Sequence, residues 1–186
     1  MRLHGAATEA VDEGESVRIA AGPRTDWFVD PGTGEVTDSA PALLRPVEGD
    51  YVLSAHVEVA LASTFDAGAL VVRRDERTWA KLALERSPAG EATVVSVVTR
   101  GVSDDCNSWS LDEPSVWLRI ARIGDAYAFH ASRDGDRWDL VRHFRLDAPD
   151  AEAGFEAQSP LGEGCVATFT SVALVGRTLA DLRDGS

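Results

Sequence analysis

Apolar and polar residues alternate with a period of two in several short segments, which is the signature of β-strands. The clearest apolar face comprises Tyr51, Leu53, Ala55, Val57 and Val59, with Ser54, His56 and Glu58 on the other face. The same alternation runs through 79–85, 117–121 and 127–130. The run 91–100 is nearly all β-branched, which suits a strand buried on both faces.

Turn signals such as Pro31-Gly32, Gly124-Asp125 and Asp134-Gly135 recur at close intervals between these segments. Helical patterning is confined to single turns at 63–66 and 178–183. Roughly a dozen strands without a covering helix must bury their apolar faces against each other. The pattern therefore predicts an all-β fold, a two-sheet antiparallel sandwich. Because no repeat or linker divides the chain, we expect one domain over 1–186.

The charge balance narrows the classes of partner. The chain of 186 residues has 31 acidic and 18 basic residues and a net charge of −13. Such a surface repels phosphate backbones and anionic headgroups, which argues against nucleic acid and membrane surfaces as partners. The N-terminal segment has neither a signal-peptide nor a transit-peptide pattern, so we expect a soluble, cytoplasmic protein. The edges of a sandwich could also support a homodimer.

Metal and disulfide signals are weak. Cys106 and Cys165 have no metal-ligand spacing, and two free thiols are favoured over a disulfide. The pairs Asp104-Asp105 and Asp134-x-Asp136 fall short of the six or so oxygens that Ca²⁺ requires. The segment 132–138 is interpreted as a hairpin turn with a tryptophan packed beneath it. We therefore expect no cofactor and no metal.

Candidate binding residues lie on the polar faces of two predicted strands. Trp79, Lys81 and Glu85 share one face, and Trp117 and Arg119 share another. Flat indole rings surrounded by hydrogen-bonding groups suit a sugar ring. Lys81 is the only lysine among the 18 basic residues, and all the others are arginines. The alternatives are that the tryptophans pack under a loop and that Lys81 and Glu85 belong to a structural ion-pair network.

Several motifs in order resemble the DUF1349 family, some members of which carry a "regulation of enolase" label. They are 25–28 (TDWF), 47–51 (VEGDY), 66–73 (DAGALVVR), 79–85 (WAKLALE), 98–104 (VTRGVSD), 116–119 (VWLR) and 158–164 (QSPLGEG). The resemblance extends from about Ser16 to Val175. It implies a jelly-roll sandwich of the concanavalin A-like lectin/glucanase superfamily, in which the concave sheet forms a groove.

The family pattern extends the set of candidate site residues on that groove or its rim. Carried over by position, it comprises Asp26, Trp27, Arg73, Trp79, Lys81, Glu85, Thr99, Arg100, Ser103, Asp104, Gln158 and Ser159. Family members commonly follow the Ser-Asp pair directly with an aromatic residue. Here four residues separate Asp104 from Trp109, so the loop on that rim is altered.

The leading hypothesis is non-catalytic binding of a carbohydrate or another small polar ligand in the groove. We expect this one groove to be lined by Trp79, Lys81, Glu85, Trp117 and Arg119. Glucanases of this superfamily use a Glu-x-Asp-x-x-Glu strand motif, which is absent, and this favours a non-catalytic role. An enzyme acting on glycosides or sugar acids remains an alternative if carboxylates, or a carboxylate and Lys81, converge in one pocket. A regulatory protein-interaction module is the third hypothesis, and the family label is its only support.

Overall fold

The structure, a computed structural model, describes all 186 residues and contains sixteen strands. The strands are β1 (Arg2–His4), β2 (Ala7–Asp12), β3 (Val17–Ala21), β4 (Trp27–Val29), β5 (Val36–Asp38), β6 (Ala42–Pro46), β7 (Tyr51–Val59), β8 (Ala67–Asp75), β9 (Thr78–Arg86), β10 (Ala92–Arg100), β11 (Val102–Leu111), β12 (Ser115–Ile123), β13 (Ala126–Ser132), β14 (Asp139–Arg145), β15 (Glu152–Gln158) and β16 (Cys165–Val175). No helix is long and apolar enough to cross a membrane.

Fourteen of these strands form two antiparallel sheets of seven. Sheet 1 has the order β1-β6-β15-β8-β9-β10-β11, and sheet 2 has the order β14-β13-β12-β7-β16-β3-β2. The remaining two strands, β4 and β5, form a separate hairpin. The predicted all-β, two-sheet jelly-roll sandwich is confirmed, and neither 63–66 nor 178–183 contains a helix.

The main core lies between the two sheets and contains 31 buried hydrophobic residues. Alternation places every second side chain there, including Leu53 and Val57 of β7 and Leu82 and Leu84 of β9. Their neighbours in sequence point to the outer face of each sheet. The face that carries the candidate residues of β9 is therefore the outer face of sheet 1.

The β4–β5 hairpin covers part of this outer face. A second apolar cluster of 11 residues includes Trp27 from the hairpin, Trp79 from β9, and Val95 and Val97 from β10. This layer explains why β10 is buried on both faces, as its β-branched sequence predicts. The covering hairpin is held in shape by Asp30, whose Oδ1 accepts hydrogen bonds from the backbone N–H groups of Gly32 and Thr33.

The C-terminal segment covers the outer face of sheet 2. Leu179 packs on Val52, Ala121 and Ala128, and the Leu182 carbonyl accepts a hydrogen bond from Nε2 of His130 at 2.8 Å. The two cysteines do not form a disulfide. Cys106 is exposed on β11, and Cys165 is buried on β16.

Candidate functional site

Lys81 lies at the centre of a polar cluster on the outer face of sheet 1. Its side chain is buried, and its Nζ donates to Gln158 Oε1 at 2.5 Å, to the Trp27 carbonyl at 2.9 Å and to Asp26 Oδ1 at 3.3 Å. An ammonium group has three hydrogen-bond donors. All three are therefore used by groups of the protein, and Lys81 joins the β4 end of the hairpin to β9 and β15.

Two further carboxyl groups belong to this cluster. Burial raises the pKa of Glu156 to about 8, although the charge of Lys81 opposes this shift. Burial likewise raises the pKa of Glu85 to about 7, again opposed by Lys81 and reinforced by Asp26 and Asp105. Burial lowers the pKa of Lys81, but Asp26, Glu156 and Glu85 outweigh this effect and the net pKa is raised. The lysine therefore stays charged at neutral pH.

A pocket of about 220 Å³ opens beside Lys81. Its lining residues are Asp26, Phe28, Phe65, Lys81, Glu85, Val95, Val97, Asp105 and Gln158. Two aromatic rings and two valines form the apolar walls, and three of the five polar lining residues carry carboxyl groups. This combination of apolar walls with a few convergent polar groups is typical of ligand sites.

The wall at Phe65 is fixed by a network behind the pocket. Asp66 is buried, and its Oδ2 accepts from the backbone N–H groups of Ala62 and Ser63, while its Oδ1 accepts from Ser159 Oγ at 2.7 Å. The turn puts Phe65 in the left-handed region, with φ of 67°. Its carbonyl accepts from Gln158 Nε2 at 3.1 Å, which orients the amide that binds Lys81. Strained backbone of this kind is often found at ligand sites.

The structure brings together four of the predicted residues in the pocket, namely Asp26, Lys81, Glu85 and Gln158. Ser159, Trp27 and Ser103 lie behind it as buried supports. Ser103 Oγ accepts from the backbone N–H of Val29 at 2.9 Å and shares a hydrogen bond with Thr99, which fixes the hairpin on β11.

The two tryptophans and Arg73 form a packed layer instead of a binding platform. Trp79 is 1 % exposed, lies 6.0 Å from the Trp27 ring and donates from Nε1 to the Glu76 carbonyl. The Arg73 guanidinium lies 4.5 Å from the Trp27 ring and pairs with Asp38 at 2.8 Å. For Trp79, the alternative of packing under a loop is therefore the one that the structure adopts.

Asp104 and Arg100 point away from the pocket. Asp104 pairs in register with Val98, a residue of the main core, and its carboxylate binds Arg142 of sheet 2 at 2.9 Å. The pocket residue is the next one, Asp105, which pairs with Val97. The expectation at Asp104 is thus corrected by one position. Arg100 is exposed at the end of β10.

Trp117 and Arg119 lie on β12 of sheet 2, so the expectation of one shared groove is wrong for them. The Trp117 ring packs against His56 and lies under Gly135, where an added Cβ would come within 2.9 Å of the indole. The Arg119 guanidinium stacks over Trp138 at 4.1 Å and is covered by the C-terminal segment near Gly185. Ser132 and Asp134 cap the intervening hairpin, which confirms the predicted turn, but the ring that lies beneath Gly135 is Trp117 and not Trp138 of the same segment.

Sequence reasoning missed Phe28, Phe65, Val95, Val97 and Asp105 in the lining and Glu156 beneath it. Alternation along β10 would have found the two valines. No sequence pattern predicts that Phe65 lines the pocket, because its position depends on the left-handed turn. Among His, Cys, Asp and Glu side chains, no group of three or more is placed to hold a metal ion.

A larger cavity, of about 490 Å³, lies at an edge of the sandwich near Leu44, Leu53 and Phe155. Its charged lining residues are Arg2, Asp12 and Arg45, and Arg2 is ion-paired with Glu152 on the surface. It lacks the convergent buried polar groups of the Lys81 pocket. The Lys81 pocket is therefore the candidate site.

Comparison with known proteins supports the fold and the family. "Regulation of enolase protein 1" of Saccharomyces cerevisiae is 27 % identical over 179 residues, covering 91 % of this chain and 88 % of the yeast protein. A solved structure of a functionally unknown S. cerevisiae protein matches with a TM-score of 0.87 and 24 % identity, over 95 % of this chain and 96 % of that one.

More distant solved structures share the jelly-roll fold with this chain. The GH43 BlXynB protein of Bacillus licheniformis matches 87 % of this chain and 33 % of its own, with a TM-score of 0.70 and 12 % identity. The exoplasmic/lumenal domain of VIP36, solved with Ca²⁺ and Man3GlcNAc bound, matches 97 % of this chain and 85 % of its own, with a TM-score of 0.57 and 10 % identity. The family model described as "Protein of unknown function (DUF1349)" matches residues 5–176. The chain therefore belongs to the DUF1349 family.

Proposed function

We propose that this protein binds a small, hydroxyl-rich ligand of the sugar class in the Lys81 pocket. The observation that carries the proposal is the composition of the lining. Phe28 and Phe65 offer apolar ring faces, and Asp26, Glu85 and Asp105 offer hydrogen-bond acceptors. A sugar presents the complementary surface, with weakly polar C–H faces and a rim of hydroxyl donors.

The size of the pocket limits the ligand. Pockets for drug-sized molecules are typically about 300–1,000 Å³. A volume of about 220 Å³ falls below that range and suits a single sugar ring or a terminal residue of a longer glycan. The jelly-roll neighbours support a sugar ligand, since one was solved with Man3GlcNAc bound.

The test is a monosaccharide panel titrated by tryptophan fluorescence, followed by a glycan array. Trp27 and Trp79 lie in the layer that supports the pocket and should report its occupancy. We expect a saturable response that Asp105→Asn weakens. The matched control is Asp104→Asn, which makes the same charge change one residue away on the opposite face of β11. A response that both variants weaken equally, or no response to any sugar, would contradict the proposal.

A second candidate function is an enzyme acting on glycosides or sugar acids. One pocket does bring Lys81 within 3.3 Å of Asp26 and places Glu85, whose pKa burial raises to about 7, beside them. A carboxyl group with a pKa near neutrality suits general acid–base work. Turnover of aryl glycosides that Glu85→Gln abolishes would favour catalysis, and binding without turnover would favour the first candidate.

A further inference from the structure

The pocket has an imbalance between hydrogen-bond donors and acceptors. Lys81 uses all three of its donors within the protein, and the Gln158 amide is held between Lys81 and the Phe65 carbonyl. The carboxylates of Glu85 and Asp105 line the pocket, and no protein group donates to either of them. A ligand therefore meets acceptors with free lone pairs, while the donors nearest to it are already engaged.

The pocket also has more negative than positive groups, which again favours a ligand that supplies donors. Lys81 is its only cation, and Asp26 already pairs with it. Beneath the lining, Glu156 is 0 % exposed, and neither of its carboxyl oxygens has a hydrogen-bond partner. Since unpartnered buried polar groups are rare, Glu156 adds two oxygens to the acceptors that the donors of Lys81 do not satisfy.

On these grounds, and resting on the proposed function, we propose that the preferred ligand carries a protonated amine, as an amino sugar does, and that its ammonium group binds Asp105 within the negative field of Glu85. Three features then fit together. The ammonium and the ring hydroxyls together would supply the donors that the two carboxylates lack. It would compensate the surplus negative charge of the pocket, and it would contact the rings of Phe28 or Phe65. Sugar acids would be excluded by the same carboxylates.

The experiment is a nuclear magnetic resonance titration of the ¹⁵N-labelled full chain with four probes at constant ionic strength. Glucose and glucosamine differ by one hydroxyl replaced by an ammonium, glucuronate carries a carboxylate, and ethanolamine carries the amine without the ring. Charge-assisted hydrogen bonds are roughly twice as strong as neutral ones. We therefore expect glucosamine to bind about tenfold more tightly than glucose, a ratio equivalent to about 1.4 kcal/mol.

Two variants locate the preference. Asp105→Asn should lower the glucosamine-to-glucose affinity ratio to about threefold or less, because one of the two carboxylates is lost. Asp104→Asn carries the same charge change but faces Arg142, and should leave the ratio unchanged. Both residues are exposed on an edge strand, so neither substitution disturbs the core.

Each outcome decides between the two proposals. Equal binding of glucose and glucosamine at the pocket would overturn the amine preference and leave sugar binding intact. Binding of ethanolamine and glucosamine with equal affinity, without glucose, would support the cation site and overturn the sugar ligand. Shifts with glucuronate alone would overturn the amine preference, and no shift at the pocket with any probe would overturn both.

Discussion

Replacing Lys81 by methionine should strongly destabilise the protein, because it removes the buried cation at the centre of the polar cluster. The substitution removes three hydrogen bonds from a charged donor, each of which contributes about 1.5–3 kcal/mol. It also leaves Asp26, Glu85 and Glu156 without their common cation. Breaking a buried ion pair from one side typically costs about 3–5 kcal/mol. We expect a loss of this size in the free energy of unfolding at pH 8.

The loss of stability in Lys81→Met should depend on pH, because two of the carboxyl groups left without a cation can take up a proton. Burial raises the pKa of Glu156 to about 8 and that of Glu85 to about 7, both above the usual value of 4.5. Groups with a raised pKa contribute stability that is fully present below pH 4.5 and is lost as the pH rises through the folded-state pKa. Without Lys81 both pKa values rise further. The cost of Lys81→Met should therefore be smaller at pH 5 than at pH 8.

The assay is urea unfolding followed by tryptophan fluorescence at pH 5 and pH 8. The matched control is Arg100→Met, which removes an exposed cation from the end of the neighbouring strand. Exposed substitutions of this kind usually change stability by less than about 0.5 kcal/mol. A Lys81→Met variant within about 1 kcal/mol of the native protein at pH 8, or an equal loss at both pH values, would refute the argument.

Three further predictions concern the surroundings of the pocket. Burial raises the pKa of Glu156 from its usual 4.5 to about 8, so ionisation of this group should destabilise the native protein as the pH rises from about 5.5 to about 8.5. Glu156→Gln should therefore reduce the loss of stability over this pH range, measured by urea midpoints. An unchanged dependence of the midpoint on pH would contradict the effect of burial on Glu156. Trp79→Ala should lower the free energy of unfolding by about 3–5 kcal/mol, because the indole is fully packed. Phe28→Ala should weaken sugar binding more than it lowers stability. The reverse pattern would show that Trp79 contacts the ligand. Arg119→Met should change the unfolding free energy by less than about 1 kcal/mol, since the buried guanidinium has no acidic partner, and a larger loss in thermal unfolding would show that Arg119 is paired.

The sequence predicts which residues share a face of one strand, because alternation is a local property. It places Lys81 and Glu85 together correctly, and it identifies the doubly buried strand β10. Alternation gives little guidance on β11, where the stretch 103–108 is polar apart from Cys106 and neither face is marked by a row of apolar side chains. The expectation at Asp104 comes from the resemblance to the family, and the local pattern of β11 does not correct it to Asp105.

The sequence does not reveal which sheet a strand joins or what covers it, because both depend on contacts between distant segments. Trp117 and Arg119 show the same local pattern as Trp79 and Lys81, yet β12 pairs with β7 and β13 in sheet 2. Trp79 is buried only because the hairpin at 27–38 folds over it. The resemblance to DUF1349 supplied Asp26 and Gln158, which are far from Lys81 in sequence and bind it directly.

The central claim is that the Lys81 pocket holds a small donor-rich ligand. The most direct test is a crystal structure of the protein with the tightest-binding sugar of the panel. We predict electron density between Phe28 and Phe65, with ligand donors on the carboxylates of Glu85 and Asp105. Density at the Trp117 face of sheet 2, with no ligand in the Lys81 pocket, would contradict the claim.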